Sequence, residues 1–173
     1  MRRMNLNDPA APRGVLIVGG GLVGASLAIA LDAAGVPATL LDTAPPRRTA
    51  PASYDERNLA LARATVNGLR ALGVWPHAEA RATPITRIQV SRAGEFGTAR
   101  LDAARHGVDA LGWTLPAREL GEALERRLES CRTLVRMVPA TLEAMEPVEG
   151  GWRATVRTAD GTQTLDAALV VGA

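Results

Sequence analysis

The chain contains no lysine: all 20 of its basic residues are arginine. Against them stand 18 carboxylates, so the formal net charge is only +2 and no basic surplus argues for nucleic acid. An all-arginine complement reads as codon usage in the source genome, not as a binding surface. Cysteine is almost as scarce. Cys131 stands alone, which excludes an intramolecular disulfide and a cysteine-built metal site and leaves a buried structural thiol as its expected role. His77 and His106 are too few and too isolated to build a metal centre, so no metal is expected. No stretch is long and apolar enough to span a bilayer. Arg2 and Arg3 ahead of the apolar stretch 15–31 imitate a secretory leader. Four glycines interrupt that stretch, however, and no cleavage site follows, so a cytoplasmic location is expected. Neither an internal repeat nor a low-complexity block is found. What remains is an ordinary globular composition, 47% hydrophobic and 22% charged over 173 residues. A chain of that length can bury about 70% of its unfolded surface in one domain.

The strongest positive signal is Val15-Leu16-Ile17-Val18-Gly19-Gly20-Gly21-Leu22-Val23-Gly24. An apolar strand turns through glycines straight into a helix, a geometry suited to a pyrophosphate. Gly19 permits the tight turn, Gly21 lets the backbone approach the phosphates, and Gly24 lets the helix pack against the strand. The helix N-terminus offers unpaired N–H groups and the positive end of its dipole. Asp42 follows 23 residues after Gly19, at the end of the second apolar run Pro37-Ala38-Thr39-Leu40-Leu41. A carboxylate there can accept hydrogen bonds from an adenosine ribose. A glycine pattern alone would leave a turn of some other α/β protein open; strand, helix, strand and acid in this order favour dinucleotide binding.

Residues 1–13, with Pro9 and Pro12, read as a flexible tail, and 14–173 as one domain. The first βαβ unit runs from Gly14 to Asp42, with a helix from Leu22 to Ala34 stopped by Gly35. Residues 43–53 form a proline-rich loop, and the spacing predicts a helix over 56–72, ended by Gly73. The rhythm then changes. Segments 84–91, 95–101 and 110–115 read as strands, so 84–115 forms a β excursion where a nicotinamide-binding domain would continue with helix and parallel strand. A helix opens at Pro116 with Leu120, Ala123, Leu124 and Leu128 on one face. Segment 133–138 should rejoin the parallel sheet. Segments 140–146, 151–158 and 161–166 form an antiparallel meander turning at Gly150-Gly151 and Asp160-Gly161. Residues 168–171 read as a final buried strand.

This order of elements resembles the FAD-binding half of the flavoprotein aromatic hydroxylases, in particular the ubiquinone-biosynthesis hydroxylases acting on 2-polyprenyl-6-methoxyphenol. The resemblance covers most of the chain from Val15 onward. It rests on Val15 to Gly24, Tyr54-Asp55-Glu56-Arg57-Asn58-Leu59-Ala60-Leu61 and Leu69 to Trp75. Further matches are Val90-Ser91, Gly94-Glu95-Phe96-Gly97 and Ala110-Leu111-Gly112. It implies a Rossmann-like α/β FAD-binding fold with a parallel sheet, an antiparallel β-meander and an inserted β segment of the substrate domain. Gly19, Gly21 and Gly24, with Leu22 and Val23 in the first helical turn, would hold the pyrophosphate. Asp42, where the family often has Glu, would hold the ribose. Arg57 matches an arginine on the flavin side of the cofactor, a residue suited to forked hydrogen bonds with phosphate. Arg118 matches a position on the ribityl-pyrophosphate chain, and Leu142 a residue whose backbone meets the adenine. For these three, a surface arginine, a solvated helix-start arginine and an ordinary core leucine stay open.

The resemblance further implies that NAD(P)H reduces FAD and that dioxygen supplies the hydroxyl placed on a polyprenylated phenol. It also implies association with other ubiquinone-biosynthesis proteins or with the surface of the inner membrane. No residue is assigned as catalytic: Asp55 and Glu56 are better explained by a loop or helix-start role. The family's Asp-Gly motif would follow Ala173, and its later Gly-Asp motif is also absent. The sequence therefore reads as an N-terminal portion. Two alternatives stay open: another FAD oxidoreductase of the same fold, and a catalytically incompetent nucleotide-binding fragment.

Overall fold

The computed structural model describes residues 14–44, 57–94 and 96–173. The tail at 1–13, the motif residues Tyr54, Asp55 and Glu56, and Glu95 lie outside them. The chain divides into two compact units, the first drawn from both its ends and the second from its middle.

The first unit is built on a parallel sheet of β1 (Val15–Val18), β2 (Ala38–Leu41), β8 (Leu134–Met137) and β12 (Leu169–Gly172), in the order β12-β1-β2-β8. β1 sits between β12 and β2, pairing Ile17 with Val171 and with Leu40. Both faces of β1 and β2 are covered, which is why they read as unbroken apolar runs. Leu16 and Leu41 point into a core with Ala140, Ala154, Val156, Leu165 and Ala167. These residues come from the antiparallel meander β9 (Ala140–Val148), β10 (Gly151–Thr158) and β11 (Gly161–Ala167). Side chains alternate along a strand, so Ile17 and Leu40 point to the opposite face. There helix α1 (Leu22–Ala33) packs with a stripe of small residues, Gly24, Ala25 and Ala28, beside Ile29. The expected meander, its turns and the return of 133–138 are all present. The final strand differs from expectation. Among the described strands β12 is an edge of the sheet, paired with β1 alone, and Leu169 is 53% exposed.

The second unit contains β3 (Asn58–Ala62), α2 (Arg63–Ala71), β4 (Thr83–Ile85), β5 (Arg87–Ser91), β6 (Thr98–Asp102) and β7 (Gly112–Pro116). β7 is the centre of an antiparallel sheet, β3-β7-β4, while β5 and β6 form a separate ribbon. The helix expected over 56–72 is therefore shorter at its start. Residues 58–62 form a strand paired along its length with β7. Leu59 and Leu61, two apart, are its half-buried positions, a strand period inside a segment that also fits a helical one. The expected strand at 84–91 is likewise two strands, one in each sheet. Trp75 and Trp113 meet edge to face, with centroids 5.6 Å apart, and the Arg70 guanidinium lies 5.8 and 5.1 Å from their rings. Helix α3 (Ala117–Leu128) starts directly after Pro116 and carries the chain between the units. No described helix is long and apolar enough to cross a membrane.

One buried-edge carboxylate organises the approach to β8. Asp32, in the last turn of α1, accepts hydrogen bonds from the Arg132 and Thr133 N–H groups and the Thr133 hydroxyl, each at 2.8 Å. Burial opposes its charge, but the bonds from Thr133 and Arg132 outweigh that effect and hold the carboxyl down to about 2. The neighbouring Cys131 thiol is pushed up, by burial and then by the Asp32 charge, as suits a structural and unreactive cysteine. The folded-state value of Asp32 lies below that of the unfolded chain. Its stabilisation is therefore complete above about pH 4 and fades as the pH falls toward about 2. Asp32→Ala should lower stability at neutral pH by about 2 kcal/mol. It should also flatten the acid limb of a urea-denaturation series; a limb as steep as the wild type's would exclude this role.

Candidate functional site

The site is assembled where β1 ends and α1 begins. Gly19 has φ +112°, a backbone conformation that other residues rarely adopt. Its N–H donates to Leu41 O at 2.8 Å, locking the turn to the end of β2. A Cβ on Gly19 would collide with the Ala173 carbonyl, and one on Gly24 would collide with the Gly19 carbonyl and lie 3.2 Å from the Ala173 Cβ. Helix, strand and the end of β12 thus meet at backbone contact. Ala173 N–H completes the junction by donating to Val18 O at 2.9 Å.

The other side of the turn is open. A Cβ on Gly21 would meet nothing within 4 Å among the described residues. Gly21 is the N-cap of α1, no side chain among the described residues caps the helix, and no acid lies in its first turn. The first intrahelical bond is Ala25 N–H to Gly21 O at 3.0 Å, so the N–H groups of Leu22, Val23 and Gly24 have no acceptor within the helix. Val23 is 71% exposed beside them. An uncapped, acid-free helix start facing open space fits an anion such as a pyrophosphate.

Asp42 stands at the carboxyl end of β2. Its Oδ2 accepts the Gly20 N–H and its Oδ1 the Ala44 N–H, each at 3.0 Å. The sequence spacing identified the acid but assigned nothing to Gly20, the glycine that the acid touches. The signal was the third glycine in a run that needs only two. Leu142 lies on β9, half-buried, and packs against the core beneath the parallel sheet. It sits beside a register shift that leaves Glu143 as an extra residue between the Leu142–Val156 and Ala144–Thr155 pairs.

Arg57 and Arg118 belong to the second unit. The ladder between β3 and β7 brings them together: Ala117 N–H donates to Arg57 O at 2.9 Å, next to the Asn58–Pro116 pair. Both are exposed, and Arg118 Nε reaches Glu119 Oε1 at 3.4 Å. The structure thus gathers Gly19, Gly21, Leu22, Val23, Gly24 and Asp42 at one strand–helix junction, places Leu142 half-buried against the core of the same unit, and puts Arg57 and Arg118 at the joined ends of β3 and β7 in the other.

A parallel strand, a glycine turn, an uncapped helix and an acid at the next strand's end define a dinucleotide-binding α/β unit. Within that class the chain belongs to the FAD binding domain family, whose model matches residues 13–173. It is 35% identical over 162 residues to the ubiquinone hydroxylase UbiL of Rhodospirillum rubrum, covering 92% of this chain and 36% of that protein. It is 32% identical over 166 residues to the 3-demethoxyubiquinol 3-hydroxylase of Escherichia coli, covering 94% of this chain and 41% of that one. The chain therefore spans about two fifths of the length of these relatives. Among solved structures, the flavin-dependent monooxygenase PieE, in complex with FAD and substrate, superposes with a TM-score of 0.73 at 23% identity, over 96% of this chain and 31% of its own. The p-nitrophenol 4-monooxygenase PnpA of Pseudomonas putida does so with 0.72 at 21%, over 92% and 40%. These two share the fold.

The contact at Gly24 allows a direct check. Gly24→Ala places a methyl against backbone that cannot rotate away, so stability in urea should fall by about 1–3 kcal/mol. Gly21→Ala, facing open space, should cost less than about 1 kcal/mol. Equal losses would contradict the packing described.

Proposed function

We propose that this chain is the FAD-binding portion of a monooxygenase that hydroxylates a polyprenylated phenol in ubiquinone biosynthesis. One observation carries the reading: two relatives, one named a ubiquinone hydroxylase and the other a 3-demethoxyubiquinol 3-hydroxylase, match more than nine tenths of the chain at 32–35% identity. The geometry supports the cofactor half of it. Gly19 and Gly24 let strand and helix meet closely enough to form the pyrophosphate turn, Gly21 keeps a side chain away from the pyrophosphate, and the N–H groups of Leu22 and Val23 supply donors and the positive end of the α1 dipole. Asp42 accepts from the adenosine ribose, and the Leu142 backbone meets the adenine at the edge of the meander. Arg57 and Arg118 offer guanidinium groups to the flavin side and the ribityl-pyrophosphate chain. Bound FAD, reduced by NAD(P)H, supplies the activation of dioxygen for ring hydroxylation. A polyprenyl substrate partitions into lipid, so the working protein operates at the inner-membrane surface, alongside other proteins of the pathway.

Two measurements test this. Titrated with FAD, the purified chain should acquire a bound-flavin visible spectrum, and Gly24→Val should weaken FAD binding by at least about tenfold, roughly 1.4 kcal/mol. The gene from which the chain derives should restore ubiquinone synthesis, read by mass spectrometry, in a bacterium lacking its 3-demethoxyubiquinol 3-hydroxylase. A flavin-binding protein that leaves the hydroxylation defect untouched would exclude the substrate assignment and favour another FAD oxidoreductase of the same fold.

A further inference from the structure

Gly20 is not a glycine for conformational reasons, since it is not among the residues of positive φ. Its backbone is one that any residue can adopt. The constraint on it is steric and comes from across the sheet. A Cβ at Gly20 would lie 2.5 Å from Asp42 Oδ2, 3.0 Å from Asp42 Cβ and 3.1 Å from Asp42 Cγ. In that space the Gly20 N–H donates to Asp42 Oδ2 at 3.0 Å. A methyl group at position 20 would have to displace the carboxylate and would break this bond. The second oxygen is fixed separately, by the Ala44 N–H.

We propose that Gly20 is a positioning residue for the ribose end of the site: its N–H, and the side chain it lacks, set the Asp42 carboxylate in place. The inference rests on the cofactor reading above. A carboxylate has about four lone-pair sites. One on each oxygen is occupied by a backbone N–H, which leaves one on each for a donor from outside. Two acceptors held at a carboxylate's spacing match the two hydroxyls of a ribose cis-diol. The negative charge between them disfavours a phosphorylated ribose. The turn that receives the pyrophosphate and the acid that receives the ribose are therefore one hydrogen-bonded element. Each half of the adenosine diphosphate then meets a partner already placed by the other, so less ordering is needed on binding.

The test compares ADP with 2′-deoxy-ADP on the wild-type chain, Gly20→Ala, Asp42→Ala and the double variant, by calorimetry. Amide spectra of the ¹⁵N-labelled wild type and Asp42→Asn give a second readout that needs no nucleotide. The wild type should prefer ADP by about tenfold, the worth of one hydrogen bond to a charged acceptor. Each single substitution should reduce that preference to about twofold or less, and the double variant should lose no more, as expected of residues acting as one unit. The Gly20 amide proton should move upfield in Asp42→Asn, a variant that preserves side-chain shape. Full ADP preference in Gly20→Ala, or an unmoved Gly20 resonance in Asp42→Asn, would overturn the proposal. If the resonance moves but the wild type binds neither nucleotide, the link between Gly20 and Asp42 stands and the cofactor reading beneath it falls.

Discussion

The structure of the first unit depends on a distance that no side chain would allow. The first turn of α1 must touch the end of β1, and Ala173 at the end of β12 must touch both. A Cβ on Gly19 or Gly24 would be driven into a carbonyl oxygen. Close approach aims the helix start at the space beyond the strands. It also lets the small-residue stripe of α1 lie flat on the sheet. The close packing and the open, uncapped start of α1 thus belong to one turn.

The second unit solves a different problem. β7 holds an antiparallel sheet together while its end delivers the chain to α3, and the Ala117 N–H bond to Arg57 O extends that pairing by one step at the start of the helix. The tryptophan pair under the Arg70 guanidinium supplies the unit's bulk. Trp75 carries its indole N–H into that core with no acceptor among the described residues. A buried unpaired donor of this kind costs about 1–3 kcal/mol. The area of two large rings offsets it.

Much of this was legible from residues alone, and particular elements show why. The meander announces itself through period-two patterning broken by Gly150-Gly151 and Asp160-Gly161, whose glycines have positive φ. The first βαβ unit is legible because local geometry and ligand chemistry demand the same glycines. Residues 58–62 fit a helical period as well as a strand period, because five residues with two leucines satisfy both. Only pairing with β7, 50 to 58 residues away, decides between them. The exposed face of Leu169 was hidden for a similar reason: an apolar run looks alike in the centre and at the edge of a parallel sheet.

The sequence by itself determined the first βαβ unit with its glycine turn and acid, the meander and the family, because each of these depends on neighbours close along the chain or on a spacing of about one βαβ unit. It could not determine what Gly20 is for. Its glycine is required by a carboxylate 22 residues away that reaches it only when β2 lies beside β1. Nor could it show Asp32 gathering the start of β8 from 100 residues away. Hydrogen bonds across such separations leave no periodicity to read, since their partners become neighbours only once the sheet has formed.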